Sequence, residues 1–293
     1  MSTKKVFFVI KKYVAIFAIF GLLFTPPLLS SGHAIGAAKP ADAEWLVDEG
    51  ENHVWYQIAE GILTIGGVGE MPDWDSGQDT PWYGNRASTT NIIVSKGITK
   101  IGNNSFQGED GNKYSSNLKE IVLPETLASI GEYAFKSNGN IEVIVIKNPT
   151  PPTFGEGIFW NTFEGIAFVI PAFAQTAYFN SQWNIEREGY MIWEEDWSNT
   201  SSAYFVYIKH SDGGSVSSSL EYILADEYEP EKVTLTTILE DGYFIESFTV
   251  TDENGDNVLL EGDTFVMPDK SVFVNAEFSK DFKGPKVPNT GVL

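Results

Sequence analysis

The sequence predicts a mainly β protein: a short right-handed solenoid with a parallel sheet and an N-terminal β cap, followed by a small β (α+β) domain. Two observations predict the solenoid. An Ile/Phe-Gly-x-x-x-Phe motif occurs three times, and an apolar strand pattern repeats in phase with it. A third observation, the alternation of apolar and polar residues in 203–279, predicts the β domain. Short repeats do not bury their own apolar face, so neighbouring copies must stack around one continuous core.

The motif covers 101–106, 130–135 and 154–159, so its copies begin 29 and 24 residues apart. These spacings suit a solenoid repeat of roughly 20–29 residues. Glycine is the second residue of each copy, and we expect the coil to turn there because glycine tolerates unusual backbone conformations. The phenylalanine that closes each copy should stack on the previous one inside the coil.

The strand pattern has apolar residues at its first, fourth and sixth positions and precedes each motif. It covers 118–123 and 141–146, which begin 23 residues apart, and a weaker copy with threonine first covers 89–94. The extra length of the first repeat lies in a polar loop, 108–116. Between strand and motif, apolar residues three apart, such as Leu127 and Ile130, predict a second inward-facing wall.

Together these repeats resemble the BspA-like leucine-rich repeat family of bacterial surface proteins over residues 45–195. The segments 61–74 and 80–83 are similar to that family's N-terminal β cap, and 148–152, 169–172 and 177–183 are similar to its closing repeat. The resemblance implies a leucine-rich repeat solenoid on a cell surface, often with a role in adhesion. It implies no particular ligand.

Residues 1–34 are predicted to be a secretory signal peptide. Lysines precede an apolar run, 13–24, and 32–34 form a small-x-small cleavage site, with 36–38 and 41–43 as alternatives. An uncleaved membrane anchor is the other interpretation, although the run is shorter than the about 20 apolar residues that a spanning helix needs. The chain contains no cysteine, which excludes disulfides and a lipid-modified cysteine.

The chain is strongly acidic. Its net charge is −21, and the part after residue 34 carries −25, because the four lysines of the leader contribute +4. Such a charge repels nucleic-acid phosphates and anionic lipids, so we expect neither as a partner. The acidic residues are scattered, which is the ordinary pattern of a solvated extracellular protein.

A polar linker, 196–202, follows the predicted repeat domain and adjoins a pair of carboxylates. Glu194 and Glu195 lie between Trp193 and Trp197, and glycosidases also use two carboxylates. Adjacent acids at a domain junction are more simply a solvated bend, so we assign no catalytic residue. The three histidines are far apart and cysteine is missing, which leaves no motif for another catalytic centre, a metal site or a cofactor.

Residues 203–279 are predicted to form a small β module with one helix within 218–228. Its predicted strands are 204–208, 233–237, 248–251, 258–260 and 272–278. The segments 241–250 and 265–278 resemble the divergent internalin B repeat-type modules of bacterial surface proteins. This resemblance implies a spacer or an accessory binding domain.

Residues 252–257 allow two interpretations. Calcium takes about six to eight oxygen ligands, and Asp and Asn around a glycine could supply several. However, Asn254-Gly255 between two strand-like segments is a strong hairpin signal. In addition, the twelfth position counted from Asp252 is Asp263, where a calcium-binding EF-hand loop has glutamate. The hairpin is the preferred prediction.

The tail, 280–293, contains a sorting-like motif formed by Val287, Pro288, Asn289, Thr290 and Gly291. It resembles a sortase signal of the LPxTG type, with valine in place of leucine. The resemblance implies cleavage after Thr290 and attachment to the cell wall, provided that an apolar span and a basic tail follow. Only two residues follow here, so either the sequence is truncated or the match is accidental.

The repeats also predict a binding surface. If the fourth and sixth residues of each strand point inward, the residues between them, Ile93, Val122 and Val145, point outward as an exposed aliphatic stripe. We expect a non-catalytic secreted or cell-surface bacterial protein that binds a host or neighbouring-cell surface protein or glycan through this stripe. The alternatives are a covered stripe, a structural spacer in a cell-wall array, and a carbohydrate-active enzyme.

Overall fold

The computed structural model describes residues 39–109, 112, 116–162, 166–184 and 200–281. They form two compact units, which we describe separately. The first contains the described residues of 39–170 and 174–201, and the second contains 171–173 and 202–281. Most of the predicted linker lies outside the described residues, so the predicted domain boundaries around it stay predictions.

The first unit begins with an antiparallel meander. Its strands are β1 (Glu44–Glu49), β2 (Asn52–Ala59) and β3 (Ile62–Glu70), paired in that order. Two 3-10 helices, Gly77–Asp79 and Tyr83–Asn85, follow β3. This meander occupies the position of the predicted N-terminal β cap.

The repeats form two parallel sheets on two sides of the coil. In chain order their strands are β4 (Asn91–Val94), β5 (Ile98–Ile101), β6 (Glu120–Leu123), β7 (Ser129–Ile130), β8 (Val143–Ile146), β9 (Thr153–Phe154) and β10 (Ala167–Pro171). The even-numbered strands pair in parallel as the first sheet, and the odd-numbered strands pair as the second. β3 belongs to both sheets, because its first half pairs with β4 and its end pairs with β5.

Registered apolar rows fill the space between the two sheets. Ile121 is opposite Ile144, which is opposite Phe168, and all three are almost fully buried. In the second sheet, Ile101 is opposite Ile130. The predicted strand ladder and the predicted second wall are therefore both confirmed, and the fold is the expected leucine-rich repeat solenoid followed by a β domain.

An aromatic column runs along the interior of the coil. The ring centroids of Phe106 and Phe135 are 5.6 Å apart and nearly parallel at 12°, and those of Phe135 and Phe159 are 5.6 Å apart at 13°. Trp82 of the cap continues the column, 5.6 Å from Phe106. This confirms that the closing phenylalanines stack. The column joins the cap to every copy of the motif.

The glycine of each motif has a different role from the predicted one. None of Gly102, Gly131 and Gly155 has a left-handed backbone. Instead, a Cβ at Gly102 would lie 1.8 Å from the Pro72 carbonyl oxygen, and one at Gly131 would lie 2.4 Å from the Asn103 nitrogen. The residue must be glycine because the backbone of the preceding coil lies directly against it.

The C-terminal end of the solenoid is closed by a short helical segment. It consists of a 3-10 helix (Ala172–Ala174), α1 (Gln175–Phe179) and a second 3-10 helix (Gln182–Asn184). The fully buried Trp183 contacts Phe154 edge-on at 5.0 Å, and its Nε1 donates a hydrogen bond to the Pro152 carbonyl at 2.7 Å. The side chain of Trp183 therefore covers the core at the end of the last coil.

The second unit consists of two sheets. Its strands are β11 (Thr200–His210), β12 (Gly214–Ser218), β13 (Tyr222–Leu224), β14 (Lys232–Leu239), β15 (Phe244–Asp252), β16 (Thr264–Val266) and β17 (Val272–Ser279). β11 pairs with β13 and, in parallel, with β17, which also pairs with β15. β12, β14 and β16 form an antiparallel sheet. Apolar residues of both sheets, including Val233, Phe265 and Val274, form one core.

Two predictions for this unit are wrong. Residues 258–260 form no strand, and 218–228 contain β13 and a 3-10 helix (Ala225–Glu227) instead of an α-helix. Val258 and Leu260 pack against the core of this unit and Leu259 is 65% exposed, so the alternation is that of a strand, but no neighbouring strand among the described residues pairs with 258–260 to form a ladder.

Replacing Phe135 with alanine should lower the free energy of unfolding of the solenoid by about 3–5 kcal/mol, because the aromatic column loses its middle ring and a cavity remains. Urea denaturation followed by far-UV circular dichroism measures the change. Phe179→Ala is the matched control in the same unit, since Phe179 is 52% exposed. Equal effects of the two substitutions would contradict a central role for the column.

Candidate functional site

The three residues of the predicted stripe do line up on neighbouring strands. Ile93 is opposite Val122, and Val122 is opposite Val145. The row continues to Thr64 in β3 and to Val169 in β10, which the sequence pattern did not include. Five strands therefore contribute one residue each to a single outer row.

The prediction that this row is exposed is wrong. The side chains of Val122 and Val145 are only 3% and 1% exposed to solvent, while that of Ile93 is half-buried. Val143 and Ala167 on the same face are also buried, and none of these residues belongs to the core inside the coil. A face this apolar is covered because each Å² withdrawn from water contributes about 25 cal/mol. In this structure Val122 and Val145 therefore present little surface to a partner.

A buried carboxylate lies on the same outer face. Glu120 is 1% exposed, and its Oε2 accepts a hydrogen bond from Asn91 Nδ2 at 2.7 Å. The two residues are opposite each other on β6 and β4. Since a buried ionisable group is costly unless it is hydrogen-bonded, this contact ties the carboxylate to the neighbouring strand and is structural.

A second row of residues lies at the corner of the coil, at the fourth position of each motif. There the backbone is left-handed, with φ of 55° at Asn104, 56° at Tyr133 and 63° at Gly157. Asparagine and glycine tolerate this conformation, whereas a bulky aromatic residue rarely adopts it. Tyr133 is therefore held in place at a conformational cost of about 1–3 kcal/mol.

Tyr133 belongs to a cluster with Lys136 and the exposed Trp160, which we call the aromatic corner; Tyr133 and Lys136 are half-buried. The ring centroids of Tyr133 and Trp160 are 6.1 Å apart, with the planes inclined at 41°. The Lys136 Nζ lies 5.3 Å from the Tyr133 centroid and 5.2 Å from the Trp160 centroid. Trp160 is 47% exposed, and neither ring belongs to the core. The aromatic corner is therefore an outward-facing cation–π group.

Gly157 makes room for this cluster. A Cβ at Gly157 would lie 2.5 Å from Cε1 of Tyr133, so any side chain there would displace the ring. The sequence analysis missed the aromatic corner, although the motif copies contain a signal for it. Their fourth residues are Asn104, Tyr133 and Gly157, and a tyrosine is out of place at a position that otherwise holds asparagine or glycine.

The N-terminal cap has one comparable exposed indole. Trp45 is 46% exposed, and the Lys39 Nζ lies 5.6 Å from the centre of its ring. The neighbouring ring is the imidazole of His53, in edge-on contact at 6.3 Å. Trp45 lies on strand β1, so it has the exposure and the cation of the aromatic corner but not its left-handed backbone.

A small cavity lies beneath the cap. It encloses about 30 Å³, and its lining includes Trp82, Tyr83, Arg86, Gln107 and Asn138. A cavity of this size holds about one water molecule, whereas sites for organic ligands enclose about 300–1,000 Å³. This cavity is too small for a cofactor or an organic substrate.

The turn at 252–257 is a hairpin closed by Asp252, as predicted. Its Oδ1 accepts hydrogen bonds from the backbone N–H groups of Asn254 and Asp256, at 2.9 and 3.0 Å. Its Oδ2 accepts a hydrogen bond from Lys270 Nζ at 2.6 Å. Both carboxylate oxygens therefore have protein partners, and a calcium ion would have to displace the lysine.

Several predicted features lie outside the described residues. They are the signal peptide (1–34), the carboxylate pair Glu194 and Glu195, and the sorting-like motif Val287, Pro288, Asn289, Thr290 and Gly291. All of these stay predictions. In the described part of the chain, no three His, Asp or Glu residues group as metal ligands, and no helix has both the length and the apolar character needed to cross a membrane.

Comparison with known proteins supports the repeat assignment. Residues 82–181 match the family model for the BspA type Leucine rich repeat region (6 copies). A leucine-rich repeat protein from Eubacterium ventriosum, determined at 2.50 Å resolution, is 24% identical, and the match has a TM-score of 0.29 and covers 41% of this chain and 36% of that chain. No curated protein is similar enough in sequence to match.

These comparisons bear on the repeats alone. The resemblance to BspA-type repeats is confirmed for 82–181, and it indicates a role in protein binding or at a bacterial surface. The resemblance of the second unit to internalin B repeats and that of the tail to a sorting signal stay predictions.

Asp252→Asn should lower the melting temperature, because it removes the ion pair with Lys270 and keeps the shape of the turn. The hydrogen bond from Lys270 holds the pKa of Asp252 below its usual value of 3.8. The pair therefore stabilises the folded state above that pH, and its contribution is lost as the pH falls through the lowered pKa. Differential scanning calorimetry should show a difference between the two proteins at about pH 7 that shrinks as the pH falls below 3.8 and through the lowered pKa. A difference that does not change with pH would contradict this account.

Proposed function

We propose that this protein is a non-catalytic binding protein of the bacterial exterior or cell surface, and that its solenoid recognises a partner on a host or neighbouring cell. The family match over 82–181 supports a surface or binding role. The net charge of −21 disfavours nucleic acid and anionic lipid as partners. A surface protein or a glycan fits both observations.

The proposal depends above all on one observation, the aromatic corner. Exposed tyrosine and tryptophan side chains supply much of the energy at recognition surfaces. Here the half-buried Tyr133 and the 47% exposed Trp160 lie side by side with Lys136 on the outside of the solenoid. The outer row of the first sheet, in contrast, is buried at Val122 and Val145.

The stacked coils hold the aromatic corner rigidly. The backbone N–H of Tyr133 donates a hydrogen bond to the Glu156 carbonyl at 2.9 Å, and that of Ser137 donates to the Trp160 carbonyl at 2.8 Å. These bonds join two copies of the motif on both sides of the cluster. A surface fixed in this way loses little conformational freedom when it binds, which favours affinity.

A blocking experiment tests where the partner binds. Because the chain has no cysteine, one introduced cysteine gives a unique attachment point. Glu132→Cys lies beside the aromatic corner and Asn254→Cys lies at the tip of the hairpin in the second unit, and both positions are exposed. Each protein, beginning after residue 34, is coupled to polyethylene glycol maleimide, and its binding to epithelial and bacterial cells is measured by flow cytometry.

We expect saturable binding that the label at Glu132 abolishes and the label at Asn254 preserves, because only the first label obstructs the solenoid corner. Equal binding by the two labelled proteins would contradict recognition through this corner. If the folded, unlabelled protein shows no saturable binding to any cell, the proposed function is wrong and a structural spacer in a cell-wall array is favoured.

A further inference from the structure

The aromatic corner presents two rings side by side. Tyr133 lies in the second copy of the motif and Trp160 directly follows the third, and their centroids are 6.1 Å apart with an inclination of 41° between the planes. This separation is comparable to that between adjacent sugar units in a polysaccharide.

Packing of the core does not require these rings. Neither Tyr133 nor Trp160 belongs to the core inside the coil. Tyr133 nevertheless keeps a left-handed backbone, with φ of 56°, and its ring occupies space that exists only because residue 157 is glycine. Strain retained at a half-buried aromatic residue outside the core points to a ligand contact, because such strain tends to concentrate at binding sites.

Polar groups accompany the rings. The ammonium of Lys136 lies 5.2 Å from the Trp160 centroid, and the side chains of Glu132, Glu156 and Asn161 are exposed at neighbouring positions. An ammonium donates hydrogen bonds, carboxylates accept them, and an amide does both. An apolar platform with a few polar groups is typical of sites that orient a small ligand.

These groups match the chemistry of a neutral pyranose. When every ring substituent is equatorial, as in glucose and N-acetylglucosamine, the C–H bonds form an apolar face that packs on an aromatic ring, and the hydroxyls lie at the rim. We infer that Tyr133, Lys136 and Trp160 bind a β-1,4-linked chain of such sugars. This inference rests on the proposed function and names its partner class.

Two other ligand classes fit the aromatic corner less well. A quaternary ammonium ligand binds over aromatic faces, but here it would be repelled by the like charge of the Lys136 ammonium, which lies within 5.3 Å of both ring centroids, whereas a neutral sugar would not. A strongly acidic glycan would meet Glu132 and Glu156 and a net charge of −21.

Isothermal titration calorimetry on the chain beginning after residue 34 tests the ligand class. The probes are cellohexaose and chitohexaose, and maltohexaose is the matched sugar, because the axial substituent at each of its α-1,4 links interrupts the apolar face of the ring. We expect saturable heats with the first two sugars and none with maltohexaose. Co-sedimentation with purified peptidoglycan, cellulose and chitin then distinguishes the bacterial wall from other sources of the same chemistry.

Substitutions test whether these residues bind the sugar. Trp160→Ala should weaken binding by about tenfold or more, since it removes one stacking surface. Trp45→Ala is the matched control, because Trp45 is 46% exposed with a lysine 5.6 Å from its ring, and we expect its affinity to stay within about twofold. Gly157→Ala keeps both rings but displaces that of Tyr133, so it should also weaken binding. Thermal melting of each variant checks that it is folded.

Three outcomes overturn the inference. One is an equal loss of affinity in Trp160→Ala and Trp45→Ala. Another is a change in the melting temperature of Trp160→Ala without a change in affinity, which indicates a merely structural cluster. The third is saturable binding to cells without binding to any of these sugars, which leaves the proposed function intact and excludes the sugar class. If the protein binds neither cells nor these sugars, both proposals are wrong.

Discussion

Contact between the backbones of successive coils is the constraint on which the rest of the solenoid depends. It requires glycine at positions 102 and 131, where a Cβ would lie 1.8 and 2.4 Å from atoms of the preceding coil. At that spacing the strands of each coil pair in register. The aromatic rings of successive copies then lie 5.6 Å apart in one column. The contact between coils, the register of the strands and the aromatic column therefore have one cause.

The period of the repeats and the spacing of their apolar residues predict the interior of the solenoid well. The inward rows, the second wall and the phenylalanine column follow from which residues recur at equal intervals, because a repeated backbone brings equivalent positions together. The role of the motif glycine could not be predicted in the same way. Spacing indicates that residue 131 needs glycine, but only the neighbouring coil shows that the reason is contact with Asn103.

The outer surface is less predictable than the interior. Alternation predicts that Val122 and Val145 point away from the coil, and they do, but whether that face meets water depends on contacts that no local pattern describes. The aromatic corner was missed for a related reason. Tyr133 is the fourth residue of its motif and Trp160 directly follows the next copy, so the two meet only because two coils stack. The recognisable sign was conformational, a tyrosine at a left-handed position.

The pairing of Tyr133 with Gly157 also has an evolutionary consequence. The tyrosine ring fills space that any side chain at residue 157 would need, although the two residues are 24 positions apart and belong to different copies of the motif. A duplication that replaces one copy with the other would bring together either two tyrosines, which would clash, or two small residues, which would leave no platform. Exchange between the repeats is therefore restricted at these two positions, so the copies diverge there while their interior rows stay interchangeable.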